Sequence, residues 1–266
     1  MSLPTPAPDR VAVVTGASSG IGAEIARELV RRGHQVALVA RTESKLQALA
    51  TELGAGAHVL AADLSDRAAR AALPDRIAAL GLTPDILVNN AGLSTLGPVH
   101  SSDPEAEMRM VEVDVMAVVD LCSRFLPGMV ARGTGAVLNV ASTAAFQPLP
   151  GQAGYGAGKV FVLSYTQSLS GELKGTGVGV TVLCPGPVDT GFGAAAGFTK
   201  EQADEALPAF MWVAPDVVAR TAVDALDRGK LVIIPGVGNK VGAVFSKLAP
   251  KRLLVPLLAK QHPGLK

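Results

Sequence analysis

VAVVTGASSGIGAEIARELVRRG, residues 11–33, reads as a strand, a glycine-rich turn and a helix in direct succession. VAVVTG is a short apolar run ending in a turn. From Ile21 the apolar residues fall at 21, 25, 26, 29 and 30, a helical period that Gly33 closes. Between the two lie Gly16, Ser18, Ser19, Gly20, Ile21 and Gly22, a tight turn that permits close approach to the backbone. The helix start supplies free N–H groups and a partial positive charge, which suit a pyrophosphate. A glycine turn alone is as often a plain turn; its place between the first strand and the first helix points to a dinucleotide site.

Outward from this unit the alternation continues. QVALVA (35–40), AHVLAA (57–62), DILVNN (85–90), GAVLNVAS (135–142), VGVTVLCPG (178–186) and KLVIIPG (230–236) read as further strands. Helical patterns lie at 42–53 with Thr42 as N-cap, and at 65–80 with an interruption or bend near Pro74. A long helix ending near 131 opens on the capping-box spacing Ser102-Asp103-Pro104-Glu105. Two more run over 152–174 and over 214–229, the latter with Pro215 near its start. Apolar strands alternating with helices predict an α/β fold: a doubly wound, parallel seven-stranded sheet with helices on both faces, of Rossmann type. No linker or repeat divides residues 1–266, so one domain is expected. Residues 1–9 read as a short disordered lead without the apolar core of a signal peptide, and 189–213 as a long connection of the lid kind. Within that connection Thr199–Gln202 has the spacing of a helix cap. In the basic-apolar tail, 237–266, Pro250 and Pro256 are expected to break any long helix.

Composition narrows the function. Hydrophobic residues make up 48% and charged ones 18% of 266, which fits a globular protein. A net charge of +1 suggests no nucleic-acid partner. Cys122 and Cys184 read as buried free thiols in a reducing compartment, so a cytoplasmic location is expected. The four histidines form no ligand spacing and no metal site is expected; no apolar run is long enough for a spanning helix. The second strand ends at Ala40 and is followed by Arg41, where selectivity for the unphosphorylated dinucleotide wants a carboxylate. A guanidinium suits a 2′-phosphate, which favours NADP(H); a plain surface arginine is the alternative. Asp63, after the third strand, is placed either to bond an adenine amino group or to cap its loop.

Thr15-Gly16-x-x-x-Gly20-x-Gly22, Asn89-Asn90-Ala91-Gly92, Ser142, Tyr155-x-x-x-Lys159 and Pro185-Gly186 stand in one order and spacing. Over roughly residues 9–236 the chain thereby resembles the short-chain dehydrogenases/reductases, in their single-domain, NADP-preferring branch. The resemblance implies that Tyr155 is the general acid/base, that Lys159 lowers its pKa and binds the nicotinamide ribose, and that Ser142 orients the substrate oxygen. It implies cofactor contacts at Leu64, Asn89, Ala91 and Gly92, with Pro185, Gly186, Val188 and Thr190 bordering nicotinamide and diphosphate. It also implies a homodimer or homotetramer built on the long helix and the Tyr155 helix. The physics agrees: a free tyrosine, with a pKa of about 10, exchanges protons poorly at neutral pH, and a nearby lysine cation favours the phenolate. One position departs from the family. Members usually carry an asparagine in the long helix, holding a water in the proton relay; here Asp114 stands in its place and can shift the coupled Tyr–Lys titration.

Leu93, Ser94, Ala144, Phe146, Gln147 and Gln152 follow motif residues and are expected to face the substrate. Phe192, Phe198, Phe210, Met211 and Trp212 either line the same pocket or pack the lid against the body. An apolar pocket suits a lipophilic ketone, aldehyde or secondary alcohol. In GQAGYGAGKVF (151–161) the four-residue Tyr155–Lys159 spacing calls for a helix despite its glycines. Three readings of the tail are open: docking on a membrane surface, folding over the pocket, or packing on a second subunit. The leading function is an NADP(H)-dependent carbonyl reductase or alcohol dehydrogenase. The alternative is a dinucleotide-binding scaffold or sensor with little turnover.

Overall fold

In β1 (Arg10–Thr15) every residue after Arg10 is buried, and successive side chains enter two different cores. Val11 and Val13 face one core, Ala12 and Val14 the other. A strand with water on neither side needs helices over both faces, which is why its sequence is a continuous apolar run. The computed structural model describes residues 3–199 and 208–265. It places six more strands beside β1: β2 (Gln35–Ala40), β3 (Ala57–Ala61), β4 (Thr83–Asn89), β5 (Gly135–Val140), β6 (Val178–Leu183) and β7 (Val232–Ile233). All pair in parallel, in the order β3-β2-β1-β4-β5-β6-β7. The order reverses between β1 and β4, so a crevice opens at the carboxyl ends of those strands.

The helices follow in chain order: α1 (Gly20–Arg31), α2 (Glu43–Leu53), α3 (Arg67–Ala78), α4 (Pro104–Val111), α5 (Ala117–Arg132), α6 (Ala153–Glu172), α7 (Phe192–Ala195), α8 (Pro215–Asp227), α9 (Val237–Leu248) and α10 (Lys251–Gln261). One core is closed by α1, α2 and α8, the other by α3, α5 and α6. A π-helical turn, Glu112–Met116, joins α4 to α5 without a break.

Several local expectations change. Residues 3–9 are held: Leu3 N–H donates to Asp227 Oδ1 at 2.9 Å, and Pro8 O and Asp9 O accept from Gln35 Nε2 and Thr83 N at 2.7 and 2.8 Å. Prolines leave such a segment little freedom to lose, so a few contacts hold it. Thr42 occupies the N-cap of α2, yet its side chain makes no capping bond. Asp103, not Ser102, caps α4 by accepting from Glu105 N at 3.0 Å, while the Ser102 hydroxyl donates to Val99 O. Helix α3 runs through Pro74. Strand β7 keeps two residues, because Pro235 has no N–H to give and Gly236 turns to φ +83°. Pro250 separates α9 from α10 as expected, whereas Pro256 lies within α10 without ending it. Of the expected cap at Thr199–Gln202, the last three residues lie outside the described residues.

Candidate active site

The crevice is built where β1 and β4 end. Thr15 Oγ1 donates to Val88 O at 3.1 Å and accepts from Asn90 N and Ala91 N at 2.9 and 3.1 Å. Asn90 Nδ2 donates to Thr15 O at 2.9 Å. These bonds lock the turn after β1 against the turn after β4. No side chain fits between them: a Cβ at Gly22 would stand 2.3 Å from Asn90 Nδ2 and 2.5 Å from Gly16 O. Thr190 closes the other side, where a Cβ on Gly20 would come within 2.8 Å of its own Cβ. Ser19 at the N-cap of α1 makes no side-chain cap, and the first turn holds no acidic residue. Its N–H groups therefore face an anion site unopposed, and the residues present fit a dinucleotide pyrophosphate.

Other expected cofactor residues fall differently. Arg41 lies exposed just past β2. Asp63 Oδ1 accepts from Ser65 N and Oγ at 2.9 and 2.8 Å, so it caps its own loop. Burial pushes this carboxyl up, but the two Ser65 bonds and the nearby Arg41 and Arg109 outweigh it and hold the pKa below the ordinary value. The Leu64 side chain is in the core and its carbonyl accepts from Arg70 Nη1 at 2.6 Å. The Asn89 amide is buried and donates to Asn139 Oδ1 at 2.9 Å. That bond ties β4 to β5, and Asn90 shapes the crevice instead. Gly186 backs onto Asn239 of α9, whose Nδ2 also holds Met211 O and Pro235 O at 2.9 and 3.0 Å. Pro185 O accepts from Thr143 N at 2.9 Å, and Val188 packs on the core closed by α8.

Tyr155 and Lys159 lie one turn apart at the start of α6. Ser142 ends the stretch after β5 as N-cap of a 3₁₀ turn, Thr143–Phe146; its Oγ accepts from Ala144 N at 3.1 Å, and its hydroxyl favours the Tyr155 phenolate. The Lys159 ammonium is 5.5 Å from the Tyr155 ring centre, 2.9 Å from Asp114 Oδ2 and 3.3 Å from Val140 O, to which it donates. Asp114 belongs to the π-helical turn, and its Oδ1 accepts from Leu93 N at 2.7 Å. Local widening of a helix commonly marks a functional position. Gly92 passes so close that a Cβ would stand 3.3 Å from Lys159 Nζ.

The electrostatics follow from burial. Burial raises the Asp114 pKa above the ordinary value, against the pull of Lys159 and the Leu93 N–H. For Lys159 burial acts downward, yet Asp114 and Tyr155 carry its pKa up, so it stays a cation. Burial raises the Tyr155 pKa; Lys159 and Ser142 pull it down and Asp114 pushes it up, leaving the phenol above its ordinary value. The lysine thus acts in the expected direction, but its field is shared with a carboxylate.

On the substrate side, Phe192 stands 5.8 Å from Tyr155, ring centre to ring centre. Gln152 Nε2 donates to Ser94 Oγ at 2.6 Å. Its Oε1 meets His262 Nε2 at 3.1 Å, and Gly264 N donates to His262 Nδ1 at 3.2 Å. An Nδ1 that accepts leaves the proton on Nε2, so His262 donates to Gln152. The tail therefore reaches residues expected to face the substrate, and Phe198 stands edge-on to His262 at 6.0 Å. Phe146 is buried, with Lys247 Nζ 4.6 Å over its ring. Ala144, two residues earlier, is also buried, and Gln147 accepts from Ser246 Oγ at 2.8 Å. The site roles of Thr15, Asn90, Asn239 and His262 were not anticipated. Thr15 and Asn90 sit inside quoted motifs and were findable, but nothing local marks His262, 110 residues from its partner. Cys122 and Cys184 are buried free thiols whose pKa values burial pushes up to about 12. No three metal-ligating side chains come together among the described residues.

Residues 10–202 match the family model described as short chain dehydrogenase. The chain belongs to the short-chain dehydrogenase/reductase family. A solved short-chain dehydrogenase from Sphingobium yanoikuyae in complex with NADPH is 33% identical, with a TM-score of 0.79 over 93% of this chain and 95% of that one. An NADP-dependent 3-hydroxy acid dehydrogenase of Salmonella typhi is 38% identical over 179 residues, 67% of this chain and 72% of that protein. A probable oxidoreductase of Mycobacterium tuberculosis, EphD, is 34% identical over 237 residues, 84% of this chain; the chain spans only 40% of that relative's length. Among the described residues no helix is long and apolar enough to cross a membrane.

Proposed function

We propose that this family member is an NADP(H)-dependent oxidoreductase that interconverts a lipophilic carbonyl compound and its secondary alcohol, with Tyr155 as general acid/base. The convergence of Ser142, Tyr155 and Lys159 beside an uncapped glycine turn carries the reading. The turn from Gly16 to Gly22, with Thr190, would hold the pyrophosphate, and exposed Arg41 would favour a 2′-phosphate. NADPH, when bound, supplies the hydride.

The chain's own residues handle the proton. In reduction Tyr155 gives its phenolic proton to the carbonyl oxygen as negative charge builds there. Ser142, whose hydroxyl favours the phenolate, would hold the same oxygen in line. Lys159 stabilises the phenolate left behind, and Asp114 and Val140 O fix the lysine in place. In alcohol oxidation the phenolate takes the proton. Phe192 and Leu93 provide apolar surface next to Tyr155 and the Asp114 turn, which supports a lipophilic substrate.

The test is NADPH consumption by the full chain against a panel of aliphatic and aromatic ketones and aldehydes. Loss of NADPH matched by alcohol formed is the expected result. NADPH that binds and is never consumed, whatever the carbonyl, would overturn the reading in favour of a scaffold or sensor.

A further inference from the structure

Helix α9 presents its polar side to the protein and its apolar side to water. It buries Asn239, Ala243 and Ser246. It leaves Val237, Val241, Val244, Phe245 and Leu248 between 58% and 79% exposed. Their spacing (i, i+4, i+7, i+8, i+11) forms one stripe along the helix. The orientation is fixed by hydrogen bonds, since Asn239 holds Met211 O and Pro235 O, and Ser246 donates to Gln147. Leu253 and Leu257, one turn apart on α10, are 69% and 51% exposed. Phe210, 73% exposed, lies against Gly238, where a Cβ would meet its ring at 2.7 Å. Single exposed leucines are ordinary, but a run of large apolar side chains along one pinned helix marks a docking face.

Charge selects the occupant. No aspartate or glutamate follows Asp227 in the sequence. Lys240, Arg252 and Lys260 are exposed beside the apolar residues. Lys247 and Lys251 stand on the protein side, over Phe146 and on Ser246 O at 2.7 Å. A second copy seated on this face about a two-fold axis would set tail against tail, and the tail has no aspartate or glutamate side chain to meet these cations. Anionic lipid headgroups complement them, and an apolar stripe flanked by lysines suits the headgroup–acyl boundary. We propose that the α9–α10 face docks on the surface of an anionic lipid bilayer, with the Val237–Leu248 stripe inserted and Lys240, Arg252 and Lys260 at the headgroups.

Vesicle flotation with the full chain tests this, using phosphatidylcholine vesicles with and without phosphatidylglycerol. The wild type is expected to float with the anionic vesicles and to be released as salt rises. A Lys240→Gln/Arg252→Gln/Lys260→Gln variant should partition roughly 100-fold less. A Val241→Ser/Phe245→Ser/Leu248→Ser variant should stay unbound, with circular dichroism and melting temperature confirming that it folds. Wild type that ignores both vesicles, or a stripe variant that floats as well as wild type, would overturn the proposal. So would a stripe variant that turns a dimer into a monomer by sedimentation velocity while wild type ignores vesicles; that outcome gives the face to a second copy.

Discussion

A carboxylate buried 2.9 Å from Lys159 changes what that lysine can do for Tyr155. An unpaired ammonium lends its whole field to the phenolate; here Asp114 takes part of it and also pushes the Tyr155 pKa up directly. The sign for a variant follows. Asp114→Asn removes one contribution that raises the phenol pKa and frees the lysine's charge, so the phenol pKa falls. Alcohol oxidation needs the phenolate, so its rate should rise at lower pH in the variant, by about one pH unit. The pH–rate curves of wild type and Asp114→Asn check this, and superimposable curves would contradict it. The Tyr155–Lys159 spacing was legible as chemistry because four residues make one helical turn. The influence of Asp114 was legible only through the family resemblance, since spacing within one helix says nothing of which element packs against it.

At the scale of elements, the glycines of the Tyr155 helix now separate by what they touch. A Cβ at Gly154 would strike Met110 and Glu107 at 2.5 and 2.7 Å, and one at Gly156 would press on Leu149 at 3.1 Å. These two allow close packing. At Gly158 a Cβ would meet Val115 at 3.5 Å and Asp114 at 3.8 Å, ordinary contacts. Gly158→Ala should therefore stabilise the protein by about 1 kcal/mol through helix propensity, with turnover retained. Thermal or denaturant unfolding measures it; a loss of stability would show that this glycine is needed for packing on the π turn. The strands were legible because their residues alternate between two dry cores. The π turn over EVDVM was hidden, because its apolar spacing continues an ordinary helix and only the packing widens it. Pro256 misled for a related reason: a proline removes one bond, and α10 tolerates that loss.

The whole molecule places its chemistry at one edge of the sheet, where the ends of β1, β4, β5 and β6 supply Thr15, Asn90, Ser142 and Pro185. This much follows from sequence, because topology sends every parallel strand's carboxyl end to the same side. The tail does not follow. It folds back to Gln152 through His262 and leaves the apolar stripe of α9 outside, a placement that composition does not specify. The claim on which the account rests is that this edge moves a proton through Tyr155 as a carbonyl is reduced. The most direct test compares NADPH-dependent reduction by wild type and Tyr155→Phe, with NADPH affinity measured in both. Tyr155→Phe should lower the rate by about 10²–10⁴-fold, at an affinity close to wild type. Equal rates in the two proteins would contradict it.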